Sequence, residues 1–229
     1  MNRAKPRQEL EDLIAAGDLK RLMELGGLLH GHFCPGLALG VKAAFRAVKE
    51  LRAYSTGMEE VVAIVETNSC FADGVQMVTG CTLGNNGLIY RDYGKTAVTL
   101  ARRSGEAVRV AVKAGGNVIQ RNPEAAALYK KVITDRVGTP EENERLRKVW
   151  IETSFSTLEI PDEELFNIKH LNIEVPAYAK VHGSAICSVC GESIMEPRAR
   201  LKDGKPVCLA CANQGYFELD GNGLKYIVR

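Results

Sequence analysis

Residues His30-Gly31-His32-Phe33-Cys34-Pro35-Gly36 bring two of the chain's four histidines and a cysteine within five positions. Imidazole and thiolate are the commonest soft-metal ligands, and they also form the commonest nucleophile–base pair. Gly31 and Pro35-Gly36 interrupt regular helix, and helical patterns lie on both sides, so these groups sit on a connection where side chains can converge. Pro35 suits the first turn of the following helix. That sets Cys34 at a helix N-terminus, where thiolate is favoured. Cys70, in Asn68-Ser69-Cys70-Phe71-Ala72-Asp73-Gly74, lies in a loop between an expected strand and an expected helix, with Asp73 one turn on. An isolated cysteine is ordinarily a small buried hydrophobe. Cys81, in Gly80-Cys81-Thr82-Leu83-Gly84-Asn85, keeps that reading. Cys34 beside two histidines and Cys70 near Asp73 are instead candidates for nucleophile or metal ligand. His32 is the better ligand or base, because His30 has a sufficient role as a cation at the end of the preceding helix. The candidate catalytic set is Cys34, Cys70, Asp73 and His32; the candidate core metal ligands are His30, His32 and Cys34. His170 and His182 are isolated and read as structural or surface residues.

A second cluster is more specific. Cys187-Ser-Val-Cys190 and Cys208-Leu-Ala-Cys211 are two Cys-x-x-Cys pairs with seventeen residues between them. Each pair can turn both sulfurs toward one ion, and the intervening stretch supplies a hairpin with its turn at Lys202-Asp203-Gly204-Lys205. Four thiolates close a tetrahedral zinc site with no open position, which makes it structural. A rubredoxin-type iron centre has the same ligand spacing and stays open as an alternative. Arg198, Arg200, Lys202, Lys205, Lys225 and Arg229 are basic, and Tyr216, Phe217 and Tyr226 could stack on bases. A solvated basic face is favoured over a nucleic-acid surface.

The bulk numbers narrow the class. The chain has 229 residues, 45% hydrophobic and 25% charged, with a net charge of +2. These values describe an ordinary globular protein and give no general argument for nucleic-acid or membrane binding. No apolar run approaches the roughly 20 residues of a membrane helix. The basic Met1–Arg7 segment lacks the apolar stretch of a signal peptide. A cytoplasmic location is expected, where seven cysteines serve better as ligands and reactive thiols than as disulfides.

The elements that must position these groups follow from periodicity. Helical spacing runs from Glu9 to Leu29 with a break at Gly17-Asp18, and again from about Gly36 to Ala53. Strands are expected over 60–66, 88–93, 97–102, 107–113 and 168–175, with a hairpin at Arg103–Glu106. Helices are expected from Ala72 to about Thr79, from Asn122-Pro123 to about Val137, and from the Thr139 capping box to about Ser154. Gly84-Asn85-Asn86-Gly87 is a tight turn, since it lacks the Lys-Ser/Thr of a phosphate-binding loop. Lys95-Thr96 is a candidate to point into a cleft. The fold class is α+β, with helices flanking a largely antiparallel sheet, plus a small C-terminal treble-clef or zinc-ribbon module. The domains are expected at 1–180 and 185–229.

The three core motifs together with the terminal four-cysteine module resemble the FmdE family, named for one subunit of the molybdenum or tungsten formylmethanofuran dehydrogenase of methanogens. The resemblance covers about Leu28–Lys113 and Cys187–Cys211; nothing in 114–180 contributes. It implies an α+β core, an auxiliary treble-clef zinc finger, a homodimer and a link to molybdenum or tungsten one-carbon enzymology. Its site falls on His32, Cys34, Cys70 and Asp73, with His30 and Cys81 nearby. The leading expectation is an accessory protein that handles metal or sulfur for such an enzyme's subunits, with a structural zinc and a second transition metal in the core. The first alternative is a small enzyme with Cys34 or Cys70 as nucleophile and Asp73 or His32 as base. The second is a zinc-finger binding module for nucleic acid or a protein partner.

Overall fold

The computed structural model describes residues 5–228, so the first four residues of the basic N-terminal segment and Arg229 lie outside the described residues. The chain divides into two compact units, one ending at Pro176 and one beginning at Ala177.

In the first unit, helices α1 (Gln8–Ala16) and α2 (Leu19–His30) are separated at Gly17, whose φ of 77° closes α1 in the left-handed region. Gly31, with φ 86°, ends α2 in the same way. The chain then enters α3 (Pro35–Leu51) with Cys34 as N-cap and Pro35 at its first position. Strand β1 (Val61–Val65) leads through α4 (Cys70–Thr79) to β2 (Leu88–Tyr90), and β1 and β2 pair in parallel. A parallel pair needs such a crossover. Strands β3 (Ala97–Arg102) and β4 (Glu106–Val112) form the expected hairpin around Gly105 (φ 97°), and β5 (Phe166–Asn172) adds antiparallel to β4. The sheet order is β2-β1-β3-β4-β5. The α+β reading with a largely antiparallel sheet is thus borne out.

Side-chain alternation splits the sheet into two faces. Ala63, Val65, Val98, Leu100, Val108 and Val110 pack in the main core shared with α3. Val62, Ala101 and Ala107 face the other way, under Ile173 and Val175. Helix α3 is buried along most of its length, including Lys42, whose ammonium is satisfied by the Leu158 carbonyl at 2.9 Å and Asp162 at 3.1 Å. It crosses α4 at very short range: a Cβ on Gly40 would stand 2.2 Å from the Phe71 carbonyl oxygen, and one on Gly74 would stand 2.5 Å from the Val41 nitrogen.

The structure departs from the pattern-based expectation in a few places. The helix opened by Asn122-Pro123 is α-helical only over α5 (Pro123–Leu128) and continues as a π-turn at Tyr129–Thr134. Helix α6 (Pro140–Glu159) opens with the complete Thr139–Glu142 capping box and runs past Ser154, followed by the short α7 (Asp162–Leu165). Cys70 is the first residue of α4 rather than part of the loop before it.

The second unit is built of two-stranded hairpins: β6 (Ser184–Ile186) with β7 (Ser193–Met195), β8 (Arg200–Lys202) with β9 (Lys205–Val207), and β10 (Tyr216–Asp220) with β11 (Gly223–Ile227). The β8–β9 turn is Asp203-Gly204, both at positive φ, the backbone that a tight hairpin demands. The last hairpin has no counterpart in the sequence-based expectation. Among the described residues no helix is long and apolar enough to cross a membrane.

Candidate metal and thiol site

Three helix ends meet at the core site. The last residue of α2 supplies His30, the N-cap of α3 supplies Cys34, and the first turn of α4 supplies Cys70 and Asp73. The close α3–α4 crossing at Gly40 and Gly74 is what lets the two helix N-termini present their thiols side by side.

Asp73 Oδ2 lies 2.7 Å from His30 Nδ1, and His30 Nε2 lies 3.6 Å from Cys34 Sγ. A carboxylate on Nδ1 selects the tautomer that leaves Nε2 free to accept a proton or bind a metal. Gln76 donates to the other Asp73 oxygen at 3.1 Å and so orients the carboxylate. His32 is stacked between His30, 4.4 Å away centroid to centroid, and Trp150, 5.7 Å away. Its pKa is lowered, first by burial and then by the neighbouring His30 and Arg147, which favours the neutral, metal-binding imidazole. The ligand atoms of His30, His32 and Cys34 lie within 4.8 Å of one another.

The two thiols are driven apart in acidity. The Cys34 pKa is raised, because its S–H donates to the Cys70 sulfur and because it is buried. Cys70 is lowered to about 6, mainly by that hydrogen bond and then, against the cost of burial, by His30. Cys34 also accepts the Leu37 N–H at 3.5 Å, as a helix N-cap does. Cys70 is the thiolate of the pair: its charge rests at the start of α4 with a thiol donor beside it.

The sequence-predicted residues His30, His32, Cys34, Cys70 and Asp73 therefore come together, with His30 rather than His32 at the centre. Cys81 is fully buried, and its S–H points at the Val61 carbonyl 3.5 Å away, as the ordinary reading of a packed cysteine requires. His170 is exposed and sits 3.2 Å from Glu50. Sequence reasoning missed Trp150, the chain's only tryptophan. Its place on the otherwise polar α6 was the available signal. It also missed the Glu66–Arg109 pair, bidentate at 2.7 and 2.8 Å. That hydrogen bonding holds the buried Glu66 carboxyl below the usual carboxylate range.

A cleft of about 720 Å³ adjoins the site. Pro35, Gly36 and Ser69 border it on the thiol side, and Lys95, Lys113 and Tyr129 border it elsewhere. Lys95 thus faces a cleft, as its position after Gly94 suggested.

In the second unit Cys187, Cys190, Cys208 and Cys211 have sulfurs within 4.8 Å of one another. The Cys208 N–H donates to Cys187 Sγ and the Cys211 N–H to Cys208 Sγ, both at 3.3 Å, which orients the sulfurs inward. Four converging thiolates fit a closed tetrahedral zinc.

The fold and this paired arrangement define an α+β protein with a buried thiol–imidazole centre and an appended four-cysteine finger. The family model described as "FmdE, Molybdenum formylmethanofuran dehydrogenase operon" matches residues 29–167, and the chain belongs to that family. The match runs well beyond Lys113, where the recognisable motifs end. A model described as "Prokaryotic dksA/traR C4-type zinc finger" matches residues 183–214. A protein of Archaeoglobus fulgidus described as a "Probable S-adenosyl-L-methionine-binding protein" is 41% identical over 211 residues, covering 90% of this chain and 56% of that one. The chain thus spans little more than half the length of that relative. The crystal structure of an FmdE-like protein of tungsten formylmethanofuran dehydrogenase, from Syntrophus aciditrophicus, has the same fold, with a TM-score of 0.55 at 23% identity, covering 85% of this chain and 91% of that one.

Proposed function

We propose that the protein is a metal-handling accessory of molybdenum- or tungsten-dependent one-carbon enzymes. In this reading His30, His32 and Cys34 hold a soft transition-metal ion, Asp73 orients His30, and Cys70 stands beside the ion as an exchangeable thiolate. The observation that carries it is the Asp73–His30–Cys34 relay, with a carboxylate at 2.7 Å on one ring nitrogen and a sulfur at 3.6 Å on the other. Carboxylate–histidine–metal pairs are built this way. The ion would supply a Lewis-acidic, thiophilic centre; the chain's own residues fix the imidazole tautomer and hold one proton between two sulfurs. The description of the matching family supports the link to molybdenum chemistry. A homodimer, contact with subunits of such an enzyme, and a cytoplasmic location belong to the same proposal.

The test is metal analysis of full-length protein carrying Cys187→Ser and Cys190→Ser. About one equivalent of metal is expected to remain with the finger disabled, and Cys34→Ser added to that background should release it. If no metal remains and Cys34 carries no persulfide, both metal handling and sulfur transfer are ruled out.

One observation favours a second reading, a cysteine-dependent enzyme. The Cys70 sulfur, at a pKa of about 6, lies beside a cleft of about 720 Å³, within the usual size of small-molecule sites, ~300–1,000 Å³. There Cys70 would be the nucleophile and His30, oriented by Asp73, the base. The name of the Archaeoglobus relative makes S-adenosyl-L-methionine the first ligand to try.

A further inference from the structure

The cleft has a chemical character that neither the metal reading nor the family assigns. Three cationic side chains line it: Lys95, Arg109 and Lys113. Arg109 is neutralised by its bidentate pair with Glu66. Lys113 donates only to a neutral backbone carbonyl, that of Glu163. Lys95 is exposed and, among the described residues, is in no ion pair. The wall therefore presents uncompensated positive charge. The N-terminal turns of α3 and α4 border the same space through Gly36 and Phe71 and add to that sign. Apolar cover comes from Leu39, Val118 and Tyr129.

Gly36 connects this wall to the thiols. A Cβ at position 36 would lie 3.8 Å from Cys70 Sγ and 4.0 Å from Cys34 Sγ. Because there is none, the cleft opens directly over both sulfurs. Position 36 is helical and Gly is a poor helix former there, so the glycine lowers α3 stability by roughly 1 kcal/mol relative to alanine. Access to the sulfurs is a physical reason for it.

We infer that the cleft is a binding site for a small organic anion, its carboxylate or phosphate held by Lys95 and Lys113 and its other end reaching Cys34 and Cys70 through the opening at Gly36. The inference deepens the proposed function, since it rests on Cys34 and Cys70 being the working groups, and it names the class of molecule they meet.

The experiment compares alkylation of Cys70 by iodoacetate and by iodoacetamide in full-length protein, read by peptide mass spectrometry. In both reactions the Cys70 thiolate attacks the CH₂ carbon, a C–S bond forms and iodide leaves. The reagents differ in charge, and the ratio of their rates cancels whatever fraction of Cys70 is shielded by bound metal. A cationic cleft concentrates the anionic reagent, so Lys95→Glu should lower the iodoacetate/iodoacetamide ratio by about threefold or more. Gly36→Ala should slow both reagents together. Added acetate slowing the iodoacetate reaction assigns a carboxylate ligand; inorganic phosphate slowing it assigns a phosphate. A ratio unchanged by Lys95→Glu, with neither anion competing, overturns the site. Metal content in the same Lys95→Glu protein is expected to match wild type. A lost metal site and a lost anion preference are therefore read separately.

Discussion

At the scale of single residues, the site depends on one proton placed between two sulfurs. Cys34 keeps it because it is buried and donates to Cys70; Cys70 gives it up because it accepts that bond near His30. The depressed value means that Cys70 is reactive above about pH 6 and loses reactivity as pH falls through that point. The rate of Cys70 alkylation by iodoacetamide should therefore be half-maximal near pH 6, and Cys34→Ser should move the midpoint up toward the free-thiol value of about 8.5. An unchanged midpoint in Cys34→Ser would show that the two thiols do not share the proton. Residue types made these candidates visible in the sequence, but their ranking was not. His30 has a sufficient role as a helix-terminal cation until Asp73, 43 positions away, is seen at 2.7 Å from its ring. No local pattern carries that separation. Cys81 was legible, because a cysteine without chemical neighbours behaves as a hydrophobe.

At the scale of elements, the site is a product of one helix crossing. Gly40 and Gly74 let α3 and α4 approach so closely that backbone meets backbone, and the two thiols at the helix starts meet as a result. Gly74→Ala places a methyl 2.5 Å from the Val41 nitrogen and 2.7 Å from the Leu37 carbonyl oxygen, and backbone cannot swing away as a side chain can. It should destabilise the protein by about 2–3 kcal/mol in urea unfolding. It should also raise the Cys70 alkylation midpoint, because spreading the helices parts the sulfurs. A stability loss with no change in that midpoint would separate the crossing from the thiol pair. The helices themselves were readable from apolar spacing and caps, and the capping box at Thr139 is complete. Their contacts were not, since a glycine inside an apolar helix gives no sign of which neighbour it admits. The same limit explains Cys70, one position inside α4 rather than before it, where Ser69 and Cys70 are equally plausible starts.

At the scale of the whole molecule, the two cysteine centres differ in how much chain each one needs. The finger draws its four ligands from two short knuckles within residues 187–211, so spacing alone announced it. The core centre takes its groups from three helices, and only folding assembles it. The finger's hairpins bury few apolar side chains, chiefly Ile194 and Val207 around Cys187. Metal must therefore supply much of its stability, since zinc binding in such modules is folding free energy of about 10–16 kcal/mol. Removing zinc with a chelator should abolish hydrogen-exchange protection across β6–β9 while the strands of the five-stranded sheet stay protected. Retained protection in the hairpins would mean that the finger folds on packing alone. The π-turn at Tyr129–Thr134 has a consequence of another kind. Its wide hydrogen bond, from the Asp135 N–H to the Lys130 carbonyl at 2.8 Å, accommodates one residue more than an α-helical turn would. Deleting a single residue there would restore ordinary helical register and rotate the preceding segment by about 100° relative to the chain beyond the turn. Tyr129 would leave both the cleft and the Trp150 ring, whose centroid is 6.3 Å from its own. One wall of the cleft is thus set by the length of the chain rather than by the identity of any side chain, so insertions and deletions test it where substitutions cannot.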